Sequence, residues 1–349
     1  MDKDLVFIYI MKKLILLVLI SFIFIVVCGY MKGKSEMFFI NVSPNTKEFL
    51  DGKPDFGKSM FSEKGWNENT IKEILKRDKG YFEIPKVEKY SNKRLVFMNR
   101  INDKMYEKAH IYSFEPNDDF DKIILYIHGG GYIFSLDSAH LKFCDNLCTL
   151  LNAKVCVPCY GVPPYVKCDE TYDLLYKVYD DLLKFNKPIY IMGDSAGGGL
   201  GLAFTLDLKN KSRKPPKKIV LISPWLDVSM KNSDIEKYEK EDLMLSKYGL
   251  IEAGKLWAGD IDTDNYKVSP INGEINNLPP ILITVGTKEL FYPDIKLFYN
   301  KCEKNNVDCI LIEAEEMFHA FPVLGSKLEE SIKCMDYIIN FVKETLIND

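Results

Sequence analysis

Histidine is scarce in this sequence of 349 residues: there are four, His110, His128, His140 and His319. Any chemistry that needs an imidazole must be built from one of them. A basic excess is also lacking. Against 46 lysines and arginines stand 50 aspartates and glutamates, a formal net charge of −4. With no long basic run, nucleic-acid binding has no electrostatic support. Internal repeats and low-complexity tracts are absent. The nine cysteines lack the spacing of a disulfide framework. Cys156 and Cys159 fall on a predicted core strand, and Cys144 and Cys148 lie at helical spacing. A zinc site on Cys156 and Cys159 would lack a second ligand pair, so all four read as small buried hydrophobes.

An apolar run long enough to span a bilayer, about 20 residues, is missing too. Residues 14–27 read LILLVLISFIFIVV, preceded by Lys12 and Lys13. That pattern fits a signal peptide with a positive n-region, or a signal anchor if the upstream apolar residues 5–10 count. Met11 is an alternative start. Cys28 resembles a lipoprotein acceptor, although Val27 departs from the small residue expected before it. The expectation is a signal peptide or membrane anchor over 1–30, and an exported or membrane-associated protein whose eight remaining cysteines are permitted disulfides. A buried core helix is the plainer reading of 14–27, and the flanking lysines weigh against it.

What is present is ample apolar content, 47% of residues, sufficient for a large core. Residues 31–115 are mixed, with a helix expected near 70–77 and strands near 94–98 and 109–114. From 116 to 349 the pattern becomes regular. Short apolar runs at 122–127, 154–158, 189–192, 218–222, 281–285 and 309–312 have the length of buried parallel strands. Helix-like segments such as 171–183 separate them. The last places Leu328, Ile332, Met335, Ile339, Val342 and Leu346 on one face. The alternation predicts an α/β fold with a mostly parallel sheet covered on both faces. One connection, about 228–265, is too long for a plain crossover and reads as a lid or pocket wall.

Two glycine-rich segments carry chemistry. Gly193-Asp194-Ser195-Ala196-Gly197 follows one apolar run and opens a helical stretch. This is G-x-S-x-G in the context it requires, strand, tight turn, helix. The turn lifts the serine hydroxyl above the strand ends and aims the N–H of Ala196 at the same point. A phosphate loop is the alternative, but its lysine is missing. His128-Gly129-Gly130-Gly131 ends the run 122–127. Successive glycines permit close approach of backbone to a ligand, so Gly129, Gly130 and Ala196 are candidate oxyanion donors. His128 precedes the donors and is expected to hold the loop by hydrogen bonding.

A serine hydroxyl needs a base, and the base an orienting acid. In this topology the chain order is serine, acid, histidine. Only His319 follows Ser195. The acid should follow the run 281–285, where Glu289 is the first candidate and Asp294 the second. No metal or cofactor is called for.

HGGG upstream of GDSAGGG resembles the hormone-sensitive-lipase-like family of esterases, which includes bacterial acetyl- and arylesterases and arylacetamide deacetylase. The resemblance runs from residue 122 to the C-terminus. Ser223-Pro224-Trp225-Leu226-Asp227, Val268-Ser269-Pro270 and Leu278-Pro279-Pro280 reinforce it. It implies an α/β-hydrolase fold with a small helical cap, to which residues 40–90 would contribute. It also implies hydrolysis of a small-molecule carboxylic ester, with Ser195 as nucleophile, His319 as base and Gly129 and Gly130 at the oxyanion. The family's acid is usually aspartate in Gly-x-x-Asp; here that position carries Glu289. A second departure is Cys159-Tyr160-Gly161-Val162-Pro163-Pro164, which lacks the family's arginine. Two other readings share the scaffold. One is an amidase, lactonase, deacetylase or peptidase. The other is a binding protein such as the gibberellin receptors resemble, which lose the histidine retained here as His319.

Overall fold

The computed structural model describes residues 35–52, 73, 100–106, 109–116, 119–324 and 327–344. The expected helix near 70–77, the strand near 94–98, the apolar run 14–27 and Cys28 lie outside the described residues, apart from position 73. Among the described residues no helix is long and apolar enough to cross a membrane.

The described strands form one sheet. They are β1 (Ser35–Ile40), β2 (Arg100–Tyr106), β3 (Ala109–Glu115), β4 (Lys122–Ile127), β5 (Ala153–Pro158), β6 (Ile189–Asp194), β7 (Lys218–Ile222), β8 (Ile281–Gly286) and β9 (Cys309–Ala314). Their order is β1-β9-β8-β7-β6-β4-β5-β3-β2. From β1 across to β5 all neighbours are parallel, and β3 and β2 complete the sheet antiparallel. The six apolar runs fall on β4 to β9, each within two residues of its observed ends. β1 was not expected; it pairs in register with β9 from Ser35 opposite Cys309 to Ile40 opposite Ala314.

The runs are apolar at every position because both faces are covered. On β4, Ile123, Leu125 and Ile127 enter one core, while Ile124 and Tyr126 enter the other. The first core is covered by helices α3 (Cys168–Leu183), α4 (Ser195–Asn210), α5 (Lys247–Ala258) and α6 (Tyr292–Lys304). The second is covered by α2 (Ser138–Leu151) and α8 (Glu329–Lys343). α4 is buried from Ser195 through Leu208, as expected of a helix that is apolar all round. Short helices α1 (Pro44–Asp51) and α7 (Phe321–Leu324) complete the set.

Two expectations change in detail. The C-terminal helix buries Glu330, Ser331, Cys334, Ile338, Phe341 and Val342, whereas Ile332 is 53% exposed. The rest of the expected stripe faces inward, with Leu328, Met335 and Ile339 packed against the second core and Val342 buried in it, while Leu346 lies outside the described residues; the first turn is anchored by polar contacts. Glu330 accepts from Ser43 N at 2.5 Å and Thr46 Oγ1 at 2.6 Å, and Ser331 Oγ donates to Phe321 O at 2.9 Å. The long connection 228–265 is seated in the first core through Val228, Met230, Ile235, Leu245, Leu250, Ala253 and Trp257. Of residues 40–90, the described part up to Gly52 docks on α8 through these Glu330 bonds. All eight described cysteines are buried and none forms a disulfide, and among the described residues no group of side chains is arranged to hold a metal.

Candidate active site

In a parallel sheet the carboxyl ends of the strands share one edge, and a crevice opens where successive connections leave in opposite directions. Here that point lies between β4 and β6, since β5 is on the far side of β4. The glycine loop leaves β4 and Ser195 leaves β6 at this crevice. Glu289 follows β8 and His319 follows β9 at the same edge.

Ser195 occupies the turn the motif predicts. Its φ is 53°, the left-handed region, which costs a non-glycine residue roughly 1–2 kcal/mol. The small neighbours are required: a Cβ on Gly197 would lie 2.1 Å from Ile127 O and 2.4 Å from His128 O.

His319 is 4% exposed, and its Nδ1 lies 2.7 Å from Glu289 Oε2. A carboxylate partner fixes the Nδ1–H tautomer and leaves Nε2 with its lone pair. The other carboxylate oxygen, Oε1, accepts from Gly286 N at 2.6 Å and Ser223 Oγ at 2.8 Å. Ser223 Oγ in turn accepts from Ala320 N at 3.1 Å, joining the acid to the loop that carries the histidine. Burial pushes the His319 pKa down. The Glu289 hydrogen bond and the charges of Glu289, Asp242 and Asp194 more than offset this, so it rests above its ordinary 6.5.

Asp294 is elsewhere. Its Oδ1 accepts from Asn232 Nδ2 at 2.8 Å, its Oδ2 is buried without a hydrogen-bond partner, and burial raises its pKa to about 6. It lines a cavity of about 940 Å³ between the 231–238 stretch and α6. Of the two acid candidates, only Glu289 touches the histidine.

The glycine loop requires a correction. Gly129 lies against the serine: a Cβ there would meet Ser195 Cβ at 3.0 Å. Its N–H, however, donates to Asp194 Oδ1 at 3.0 Å. It is spent on holding the loop and is removed as an oxyanion donor. The N–H groups of Gly130 and Gly131, at φ 117° and 58°, carry no such bond among the described residues. Ala196 N is in the unpaired first turn of α4.

Asp194 is the residue that sequence reasoning missed. It is 3% exposed and accepts from Tyr126 Oη at 2.6 Å, Gly129 N at 3.0 Å and His140 Nε2 at 3.2 Å. His140 caps α2 with Asp137, its Nδ1 2.7 Å from Asp137 Oδ1. Burial would lower its pKa, but the charge of Asp194 and the hydrogen bond to Asp137 raise it to about 10. The imidazolium is thus fixed, and it neutralises the carboxylate beside Ser195. The signals were an acid inside a buried strand-to-helix turn and the cap spacing of Asp137 with His140.

His128 holds the loop as expected. Its Nδ1 is 2.7 Å from Gly129 O, its ring stacks on Tyr160 at 4.2 Å, and Tyr160 Oη donates to His128 O at 2.7 Å. Burial, aided by the His140 charge, lowers its pKa to about 4, so it is neutral. Tyr132, next after Gly131, stacks on Trp257 of α5 at 4.3 Å with the planes 2° apart. The long insertion thereby braces the glycine loop.

This geometry agrees with comparisons to known proteins. The family profile described as the alpha/beta hydrolase fold matches residues 124–323, and the chain belongs to that family. Within it, the HGGG and GDSAG segments and its esterase and acetyl-hydrolase relatives make it a carboxylesterase- or lipase-like hydrolase. It is 29% identical to an esterase of Acinetobacter venetianus over 224 residues, 63% of this chain and 74% of the relative. It is 27% identical to an acetyl-hydrolase of Streptomyces hygroscopicus over 225 residues, 64% of this chain and 75% of the relative. A solved hormone-sensitive lipase from a metagenome library superposes with TM-score 0.73 at 22% identity, covering 86% of this chain and 98% of that one.

Proposed function

We propose that the protein hydrolyses carboxylic esters of short to medium acyl chains through an acyl-enzyme on Ser195. Ser195 Oγ attacks the carbonyl carbon while His319 Nε2 accepts its proton, and Glu289 holds the ring and balances the imidazolium. The oxyanion is received by the N–H groups of Ala196, Gly130 and Gly131, each worth roughly 3 kcal/mol in such sites. His319 then returns the proton to the departing alcohol, and its neutral form activates water to release the acid.

The observation that carries this reading is the 2.7 Å contact between His319 Nδ1 and Glu289, at the strand edge where Ser195 stands in its elbow. A series of p-nitrophenyl esters from acetate to decanoate, run on wild type and Ser195→Ala, tests it. Turnover falling away beyond medium chains, and lost with the hydroxyl, is expected. Equal rates in the two proteins would sink the proposal. A fluorophosphonate probe should label wild type at Ser195; a binding-only protein would stay unlabelled.

The apolar run 14–27 supports export or membrane attachment of this enzyme. Recovery of the full chain in a membrane or extracytoplasmic fraction is expected, and recovery wholly in the cytosol would refute it.

A further inference from the structure

The insertion 228–265 contributes a carboxylate that no step above has used. Asp242 is 1% exposed. Its Oδ1 accepts from Met244 N and Leu245 N, both at 2.8 Å, closing a local turn ahead of α5. That turn needs only one oxygen. The other, Oδ2, reaches 48 residues along the chain to accept from Leu290 N at 2.8 Å. Leu290 immediately follows Glu289. Beside this buried bond, Lys288 and Glu241 make an exposed ion pair at 2.5 Å, so the same two loops are clasped on both sides of the acid.

We infer that Asp242 is a positioning residue for the His319–Glu289 pair, fixing the backbone that carries Glu289 and presenting a second buried negative charge to the His319 ring. This rests on the triad proposed above. Three carboxylates act on that ring: Glu289 after β8, Asp194 at the end of β6, and Asp242 from the insertion. Asp194 is already bonded to the His140 imidazolium, which offsets its field. Glu289 and Asp242 are the other two. The influence is mutual: burial holds the Asp242 carboxyl above its ordinary value, while the His319 charge and the N–H groups of Leu245, Leu290 and Met244 pull the other way. An imidazolium formed when Ser195 gives up its proton is therefore stabilised from two sides. The same charge raises the resting pKa of the base, so the enzyme gains transition-state stabilisation and loses activity on the acid side.

The test uses the full chain, with the His319 ring assigned by His319→Gln and titrated by NMR in wild type and Asp242→Asn. The kcat/KM pH profile on p-nitrophenyl butyrate runs alongside. In Asp242→Asn the ring should titrate at lower pH and the acid limb should move down with it. At the plateau, kcat should fall about tenfold, because an amide nitrogen or a rotated side chain no longer holds Leu290 N. Glu236→Gln, which removes an exposed charge of the same sign from the same insertion, should change neither. An unmoved ring titration and an unmoved acid limb in folded Asp242→Asn overturn the inference. Should that variant fail to fold, wild type decides: the Asp242 carboxyl carbon should show a step at the midpoint of the His319 titration, and its absence overturns the coupling. Wild type that turns over no ester while the ring titrations differ would refute the triad reading and leave the coupling standing.

Discussion

At the scale of residues, the site separates two carboxylates that the sequence leaves as rivals. Glu289 is bonded to the imidazole, and Asp294 faces Asn232. Glu289→Gln would place a neutral amide against Nδ1 and permit the wrong tautomer. Loss of roughly 10³- to 10⁴-fold in kcat is expected by analogy with serine triads whose acid is neutralised. Asp294→Asn should leave kcat near wild type; steady-state kinetics on one ester checks both. In the proposed mechanism His319 must be neutral to accept a proton, and its pKa is raised. Activity should therefore rise with pH through a midpoint above 6.5, and a kcat/KM profile with its acid midpoint below that value would contradict the assignment. The Asp137–His140–Asp194 chain makes a stability prediction. His140 has a folded pKa of about 10 against about 6.5 unfolded. Its contribution is full below 6.5 and disappears as pH rises through 10. His140→Gln leaves Asp194 buried without its cation, which costs about 3–5 kcal/mol. Urea unfolding at pH 6 and pH 10 should show that penalty at the lower pH and a smaller one at the higher. The elbow at Ser195 and the meeting of His319 with Glu289 were legible because short motifs and chain order mark them. Ser223 and Asp242 were not, because their partners lie 48 to 97 residues away and no local spacing announces them.

At the scale of elements, legibility followed burial. β4 to β9 read directly because two covered faces make every position apolar. β1 was missed because Ser35, Glu36, Met37 and Phe39 on it are not buried, so it lacks that signature. The C-terminal helix and most of its inward face were found; Glu330 and Ser331 were not, because they are buried for hydrogen bonding, which apolar periodicity does not register. The elbow and glycine loop are backbone in close contact, so added methyl groups have no space. Gly129→Ala would put a Cβ 2.2 Å from Asp194 Oδ2, a flexible neighbour but one held by three donors. Esterase activity should fall at least about a hundredfold with the protein still folded, measured beside a circular dichroism melt. For the insertion, Trp257→Ala removes a fully buried side chain and its stack on Tyr132. A loss of about 3–5 kcal/mol in urea unfolding is expected, with slower turnover because the loop after Gly131 loses its brace.

At the scale of the whole molecule, the sheet incorporates the beginning of the described chain at the edge beside β9, and residues 109–116 at the far side through β5. The division near residue 115 is thus a change of pattern along the chain, and no boundary in the core. β1 and α1 are held to α8 by Glu330, whose carboxylate accepts from Ser43 and Thr46. Glu330→Ala should speed hydrogen exchange over 35–52 while leaving 119–324 protected; uniform exchange across both would show the edge strand to be independent of this clamp.

The strand order has one more implication. β1 and β2 stand at opposite edges of the nine-stranded sheet, and each is zipped to its own neighbour. A single break of the peptide chain between residues 53 and 99 would therefore release neither end. The two pieces would remain one particle, separable only in denaturant. The protein is in this sense already divided into a short N-terminal tile and a large body, and two separately expressed halves cut within 53–99 should find each other and recover the active assembly.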